Sequence, residues 1–443
     1  MKLRSALSAA LAIAVLLVSP AARAANSLSL GADYLLRGVS ITEREKNAPK
    51  LAYYDQQLKA YLITDLSKDV EATVRVQSIT PWGLENSSTT FSTRYPNSQG
   101  NLWLQNAFVR LPNIWEDHVI ATVGRQPLRW GDGLILADDD LGFDALRLQL
   151  KSPWRFLPVD FDGFTAKINE TLLAKKDTDL HGLVMGFDRN LTRWEFMGLW
   201  EKSGDVGAYE AGAETAPIAA STLNRLIYGV RARVNLKDAF LKGEYYMQGG
   251  NVSRAGGNDI NLKGSAYALG IGGKQNSTKF GRFGAELNYA VGSGDDSSTK
   301  GDDESFRSDF AHRWSGLERA GWGSYAGANF SDIRSSTSPF GNASAANSGL
   351  EPGTSGIQTI DFAIDATPWS QWTFSFAYLT FKAQKNLVGK KDLGTEFDYG
   401  VEYRFSGLVT MRGGYATFIP KGAFNEVTRT KASMGTFDVD LRF

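Results

Sequence analysis

Not one of the 443 residues is a cysteine. That excludes disulfide staples, thiolate metal sites and a cysteine nucleophile. Histidine is almost as scarce. His118, His181 and His312 are the only three, and none stands beside a Gly-x-Ser-x-Gly segment or a recognisable serine partner. A zinc site or a serine–histidine hydrolase has little to build on. The chain is therefore expected to be no enzyme and to hold no cofactor. A surplus of positive charge is missing too, with 48 basic residues against 48 acidic ones. A nucleic-acid partner would need such a surplus. Past the N-terminal region, no segment reaches the roughly 20 apolar residues of a transmembrane helix.

What is present points to export. Lys2 and Arg4 precede an apolar run over 7–18, and Ala22-Arg23-Ala24 places small residues where a signal peptidase cuts. This three-part pattern predicts a cleaved signal peptide over 1–24 and a mature domain over 25–443. The other end alternates strictly: Phe437, Val439, Leu441 and Phe443 share one face, and Asp438, Asp440 and Arg442 the other. An apolar outside and a charged inside are what a lipid-facing strand around a wet lumen requires. The closing aromatic, Phe443, resembles the C-terminal signal that the barrel assembly machinery recognises in bacterial outer-membrane proteins.

The same period of two recurs in segments of about ten residues. Ala72, Val74 and Val76 alternate with Glu71, Arg75 and Gln77, and Leu226, Tyr228 and Val230 with Arg225 and Arg231. Phe397, Tyr399, Val401 and Tyr403 alternate with Asp398, Glu402 and Arg404. A β-sandwich core could not hold so many charges without water. Short links at 65–69, 188–190, 236–238, 367–371 and 406–407 take turns with long polar ones at 81–100, 127–143, 203–221, 250–260 and 383–395. If 292–356 is one large loop, outside or folded into the lumen, the count is about 18 strands, with 16 or 20 also open. The uncertain stretch is 321–333, whose Trp322, Tyr325 and Phe330 could form a further strand. The expected fold is thus all-β: a transmembrane antiparallel up-and-down barrel with short periplasmic turns, long outer loops and both termini periplasmic. Trp115, Trp154 and Trp369 beside turns, and Trp82 and Trp130 beside outer strand ends, would supply the interfacial girdles.

The densest local signal runs over 122–150. It contains Gly124-Arg125-Gln126, then a loop with Trp130, Asp132 and Asp138-Asp139-Asp140, then Phe143-Asp144-Ala145-Leu146-Arg147. It resembles the alginate-export porin family, whose members share a Gly-Arg-Gln strand end, a loop rich in Gly, Asp and Trp, and a Phe-Asp-x-x-Arg strand. The resemblance implies a monomeric barrel of similar size, with arginines and lysines in the lumen that draw an anionic uronate polymer outward.

Alternation places Arg75, Arg147, Arg225, Arg231, Arg233, Lys242 and Arg404 on the lumen side as candidate substrate contacts. Glu71, Glu244, Asp398, Glu402, Asp438 and Asp440 share that side, so the field is mixed and only the 225/231/233 row forms a local basic patch. Arg125 falls on the lipid parity. Either a bulge near Gly124 turns it inward, or it snorkels at the outer rim. Arg147, with Asp144 nearby, could grip a carboxylate through its guanidinium fork, or serve as a structural ion pair. Asp138, Asp139 and Asp140 are weak candidates for Ca²⁺, since no EF-hand spacing accompanies them. The functional expectation is a diffusive outer-membrane channel of the alginate-export type. A general or sugar-selective porin and a non-conducting surface barrel are the alternatives. Expected partners are outer-membrane lipid and lipopolysaccharide, the assembly machinery, and an anionic polysaccharide or small solute.

Overall fold

The structure, a computed structural model, describes residues 27–44, 50–82, 102–152, 158–170, 176–204, 206–209, 218–254, 257–277, 281–295, 301–315, 318–330, 349–351 and 353–443. The expected signal segment and Trp154 lie outside the described residues. Eighteen antiparallel strands close into a ring. In chain order they are β1 (Ser27–Thr42), β2 (Leu51–Ser67), β3 (Val70–Pro81), β4 (Trp103–Ile114), β5 (Val119–Gln126) and β6 (Phe143–Lys151). Next come β7 (Val159–Asn169), β8 (Thr178–Arg189), β9 (Thr192–Ser203), β10 (Ile218–Asn235), β11 (Ala239–Arg254) and β12 (Ser265–Ser277). The last six are β13 (Gly281–Gly292), β14 (Ile357–Trp369), β15 (Trp372–Lys382), β16 (Asp392–Arg404), β17 (Val409–Pro420) and β18 (Ala432–Arg442). Each strand pairs with its sequence neighbours, and β1 pairs with β18 to close the ring. Ala32 and Phe443 exchange both backbone hydrogen bonds at that seam, at 2.8 and 2.9 Å. A closed ring leaves no strand edge with unpaired polar groups, the condition for a sheet to sit in lipid.

The connections alternate as expected. One end carries tight turns such as 68–69, 190–191 and 370–371. The other carries the long links, among them 127–142 and 293–356. Both described chain ends lie at the turn end. The outer face is apolar: Leu146, Leu148 and Leu150 on β6, Leu269 and Ile271 on β12, and Ile360, Phe362 and Ile364 on β14 all stand exposed. No soluble monomer exposes a continuous belt of this kind, whereas lipid tails cover it.

The interior differs from the polar lumen that alternation alone suggests. Two of the long links fold into it and bring apolar cores with them. Leu128, Ile135 and Leu136 of 127–142 pack against Phe164, Leu180 and Met197 on the inner wall. Tyr325, Ala326 and Ala328 of the later link pack against Leu379, Phe381 and Phe418. Inner positions of β7–β9 and β15–β17 are therefore apolar towards the loop end, which blurs the period-two signal there. The stretch from 321 is no nineteenth strand: Trp322 makes one isolated bridge to Ala328, and Phe330 is fully buried inside the barrel. Trp115 and Trp369 are exposed at the turn end, and Trp82 lies 6.2 Å from Tyr54 at the loop end. Trp130 departs from the girdle expectation. Its link turns inward, and it is buried in the lumen, 5.4 Å from Phe164.

Candidate functional site

The lumen is organised around salt bridges between strands. Arg231 on β10 holds Glu195 at 2.9 Å, Glu244 at 3.2 Å and Asp132, from the inward link 127–142, at 3.2 Å. Lys242 on β11 holds Asp132 and Glu286, each at 2.9 Å. Gly131 makes this approach possible. Its φ is +51°, and a Cβ there would lie 2.9 Å from Arg231 Nε. On the turn side, Arg193 bridges Asp160 and Glu195, and Arg147 grips Asp162 with both arms of its fork.

The second inward link crosses the barrel. Near β10, Arg225 binds Asp309 at 2.8 Å, with Glu201 at 3.5 Å on the other side. The two links then join. Ala137 N donates to Phe310 O at 2.6 Å, His312 N to Gly133 O at 2.8 Å, and Ser308 Oγ to Ile135 O at 2.8 Å. On the far wall, the backbone N–H groups of Tyr325 and Ala326 donate to Glu396 at 2.6 and 3.1 Å, and that of Ser324 donates to Asp398 at 2.8 Å. Three successive backbone N–H groups of the link find acceptors in two carboxyl groups of the wall. Residues 303–315 and 318–330 thus form a crossbar from β10 to β16.

The candidate lumen contacts all lie inside the ring, in very different states. Arg147, Arg225, Arg231, Lys242 and Arg404 are each paired with carboxylates, Arg404 with Glu402 at 2.8 Å. Arg75 lies over the ring of Tyr61 and Arg233 over that of Phe240, at 5.6 and 4.8 Å. Among the described residues neither has a carboxylate in ion-pair range.

Within the 122–150 signal one expectation is corrected, and one pair of alternatives is decided. Asp144 is no neighbour of Arg147. The two point to opposite faces, and Asp144 instead binds Arg125 at 2.5 Å on the outer face. β5 and β6 stay in register beside Gly124, so no bulge turns Arg125 inward; it sits at the rim. The other members of that signal stitch the wall. Gly124 has a φ of +117°, and a Cβ would strike Ala107 O at 2.3 Å. The buried amide of Gln126 donates to Ala145 O at 2.9 Å, and Phe143 packs on Phe310.

The acidic run at 138–140 is absorbed by protein cations and amides. Asp140 receives Lys59 and Gln105, and Asp139 receives His312. Among the described residues no group of three or more His, Cys, Asp or Glu is placed to hold a metal ion. Burial pushes the Asp138 carboxyl up to about 6, with Asp140 and Asp139 adding to the effect. Its neutral form therefore favours the docked tip. That contribution is complete below the ordinary carboxylate range and is lost as pH rises through about 6. We expect the tip to be held more tightly at pH 5 than at pH 7.5, so that protease nicking of folded barrel within 133–142 rises with pH. Asp138→Asn should flatten that profile, and an unchanged profile would show that Asp138 does not control the tip.

Sequence reasoning missed Arg37, Asp55, Arg193, Asp361 and Asp365 as lumen residues, although alternation along Ile360-Asp361-Phe362-Ala363-Ile364-Asp365 marks the last two. The roles of Asp132 and Glu396 depend on which links turn inward, and no local pattern shows that. Among the described residues, cavities below the links include one of 530 Å³ beside Arg129 and Arg193, one of 400 Å³ under Gly321–Ser324, and one of 300 Å³ against Asp365 and Ser375.

No family model matches this sequence, and no curated protein does. Solved structures share its fold at low identity. Crystal structures of OccK9 (OpdG) from Pseudomonas aeruginosa and a BenF-like porin from Pseudomonas fluorescens Pf-5 align with TM-scores of 0.55 and 0.54, at 11% and 9% identity. Each alignment covers 94% of this chain and 99% of the other. OccK2 (OpdF) from Pseudomonas aeruginosa, in complex with glucuronate, aligns with a TM-score of 0.52 at 12% identity, covering 94% of this chain and 98% of the other. The closed ring, the apolar belt and these alignments together make the chain an 18-stranded barrel with the fold of outer-membrane porins.

Proposed function

We propose that this barrel is an outer-membrane diffusion channel for small polar solutes, throttled from within by its own loops, with both termini in the periplasm. The observation that carries this reading is the crossbar. Residues 303–315 and 318–330 are tied to Arg225 on one wall, to Glu396 and Asp398 on the other, and to the link 127–142 between them. A conduit for a thick polymer would need this bridge displaced, whereas a small solute needs only the gaps beside it. Lipid and lipopolysaccharide cover the outer belt, and the exposed Phe443 at the seam fits recognition of the last strand by the assembly machinery.

Liposome swelling tests the reading without regard to charge. Barrel-containing vesicles should admit a pentose readily and a tetrasaccharide far more slowly. Equal rates for both would overturn the throttled bore, and no swelling in either would indicate a sealed barrel acting at its surface.

Passage of an acidic saccharide is the second reading. It is favoured by Arg75 and Arg233, which face the lumen without carboxylate partners among the described residues. Its support from the alginate-export resemblance is weaker, because most of those motif residues stitch the wall together. Block of the conductance by an oligouronate, lost in Arg75→Ala/Arg233→Ala, would favour this reading; no block would remove it.

A further inference from the structure

The lumen's charges are not evenly neutralised, and the imbalance has a location. On the β10–β11 wall every candidate cation except Arg233 is within ion-pair distance of a carboxylate, and Asp132 is shared between Arg231 and Lys242. The β14–β16 wall is different. Asp361 and Asp365 on β14 and Asp398 on β16 face inward, with β15 between them, and among the described residues none has a cation in ion-pair range. Asp361 receives the Asn288 amide, at 3.3 Å, and Asp398 receives the Ser324 backbone N–H and lies against the Glu396 carboxyl; neither is met by a cation among those residues.

These carboxylates line free space. The 400 Å³ cavity holds Asp361 and Asp398, the 300 Å³ cavity holds Asp365 and Asp398, and the two share Ser324, Ala363, Ala377 and Asp398. They form one vestibule on the turn side of the crossbar. Arg37 reaches into it but is committed to Asp55 at 2.6 Å, and Lys274 stands at its turn end. A narrow water-filled space with low-dielectric walls and one dominant sign concentrates the opposite ion.

We propose that Asp361, Asp365 and Asp398 are specificity-determining residues that make the channel cation-selective, with small inorganic or organic cations as the favoured solutes. The proposal rests on the channel reading above and adds the sign of its selectivity. An anionic solute would have to pass the same wall against its field. The effect is electrostatic and so salt-dependent, since the screening length falls from about 10 Å at 0.1 M to about 3 Å at 1 M.

The test is the reversal potential of reconstituted full-length barrel in a KCl gradient. In dilute salt the potassium-to-chloride permeability ratio should be about 3 or higher and should fall towards unity near 1 M, as screening of a fixed field requires. Asp361→Asn/Asp365→Asn keeps side-chain shape and spares the crossbar anchor. It should lower the dilute-salt ratio at least about twofold. Asp365→Asn alone should shift it in the same direction, and serves if the double variant fails to show the heat-modifiable gel migration of a folded barrel. A wild-type ratio at or below unity, or a ratio unchanged in folded variants, overturns the selectivity and leaves the channel intact. Absence of any conductance overturns the channel reading and this inference with it.

Discussion

Glu396→Ala should open the barrel. The carboxylate is fully buried and accepts the N–H groups of Tyr325 and Ala326, which fastens the crossbar to β16. Leaving a buried backbone N–H without its acceptor costs about 1–3 kcal/mol. Leaving both so, offset by whatever water re-enters, should weaken docking by about 3 kcal/mol. That is roughly a hundredfold change in the ratio of docked to released crossbar. Two observables follow. Single-channel records should show frequent large openings that are rare in the wild type, and the tetrasaccharide excluded by the wild type should begin to enter vesicles. Glu396→Gln keeps an acceptor oxygen for these N–H groups and should fall between the two. If the alanine variant folds with wild-type conductance and size exclusion, the crossbar is not the throttle. The aromatic packing of Phe418 and Tyr325, 5.7 Å apart and nearly parallel, should keep part of the crossbar seated, so complete opening is not expected.

Arg231→Ala should cost the most stability of any single lumen substitution. Arg231 is 8% exposed and sits among Glu195, Glu244 and Asp132. Removing one partner of a buried ion pair leaves charges without compensation, at a typical cost of about 3–5 kcal/mol. Water in the lumen will soften this towards the lower figure. The expected readout is a lower temperature for conversion of the compact gel form to the unfolded form, together with greater protease sensitivity of 127–142, which loses half of Asp132's support. Combining Arg231→Ala with Glu244→Gln should recover part of the loss, because one orphaned charge is removed. No recovery, or an unchanged conversion temperature, would show that the cluster is too wet for its pairing to matter.

Much of the barrel is legible in the residues themselves. Strand 397–403 shows its lipid face as Phe397, Tyr399 and Val401 and its lumen face as Asp398 and Glu402, and the folded chain keeps that division. The division is local, because side chains of a strand alternate whatever lies beyond it. The same rule placed all seven basic candidates inside the ring. It gave no hint of their partners. Arg231 and Asp132 lie 99 residues apart in the chain, and His312 and Asp139 lie 173 apart.

Where one face of a strand is covered by a link, the local rule weakens. Leu180 and Val184 point inward yet are as apolar as the lipid face, because 127–142 packs over them. Trp130 reads as an interfacial aromatic until that link is seen to turn into the lumen. Alternation leaves Arg125 between a turned-in and a rim position and sets Asp144 beside Arg147, until the register of β5 and β6 shows Arg125 and Asp144 paired on the outer rim.

By itself, then, the sequence determined a barrel of alternating strands with short turns at one end and long links at the other. Period, turn chemistry and hydropathy are properties of neighbouring residues. Only the tertiary structure decided what occupies the barrel, which charges stay unpaired and where a solute has room. Those depend on complementarity between links and walls that meet only after the ring has closed.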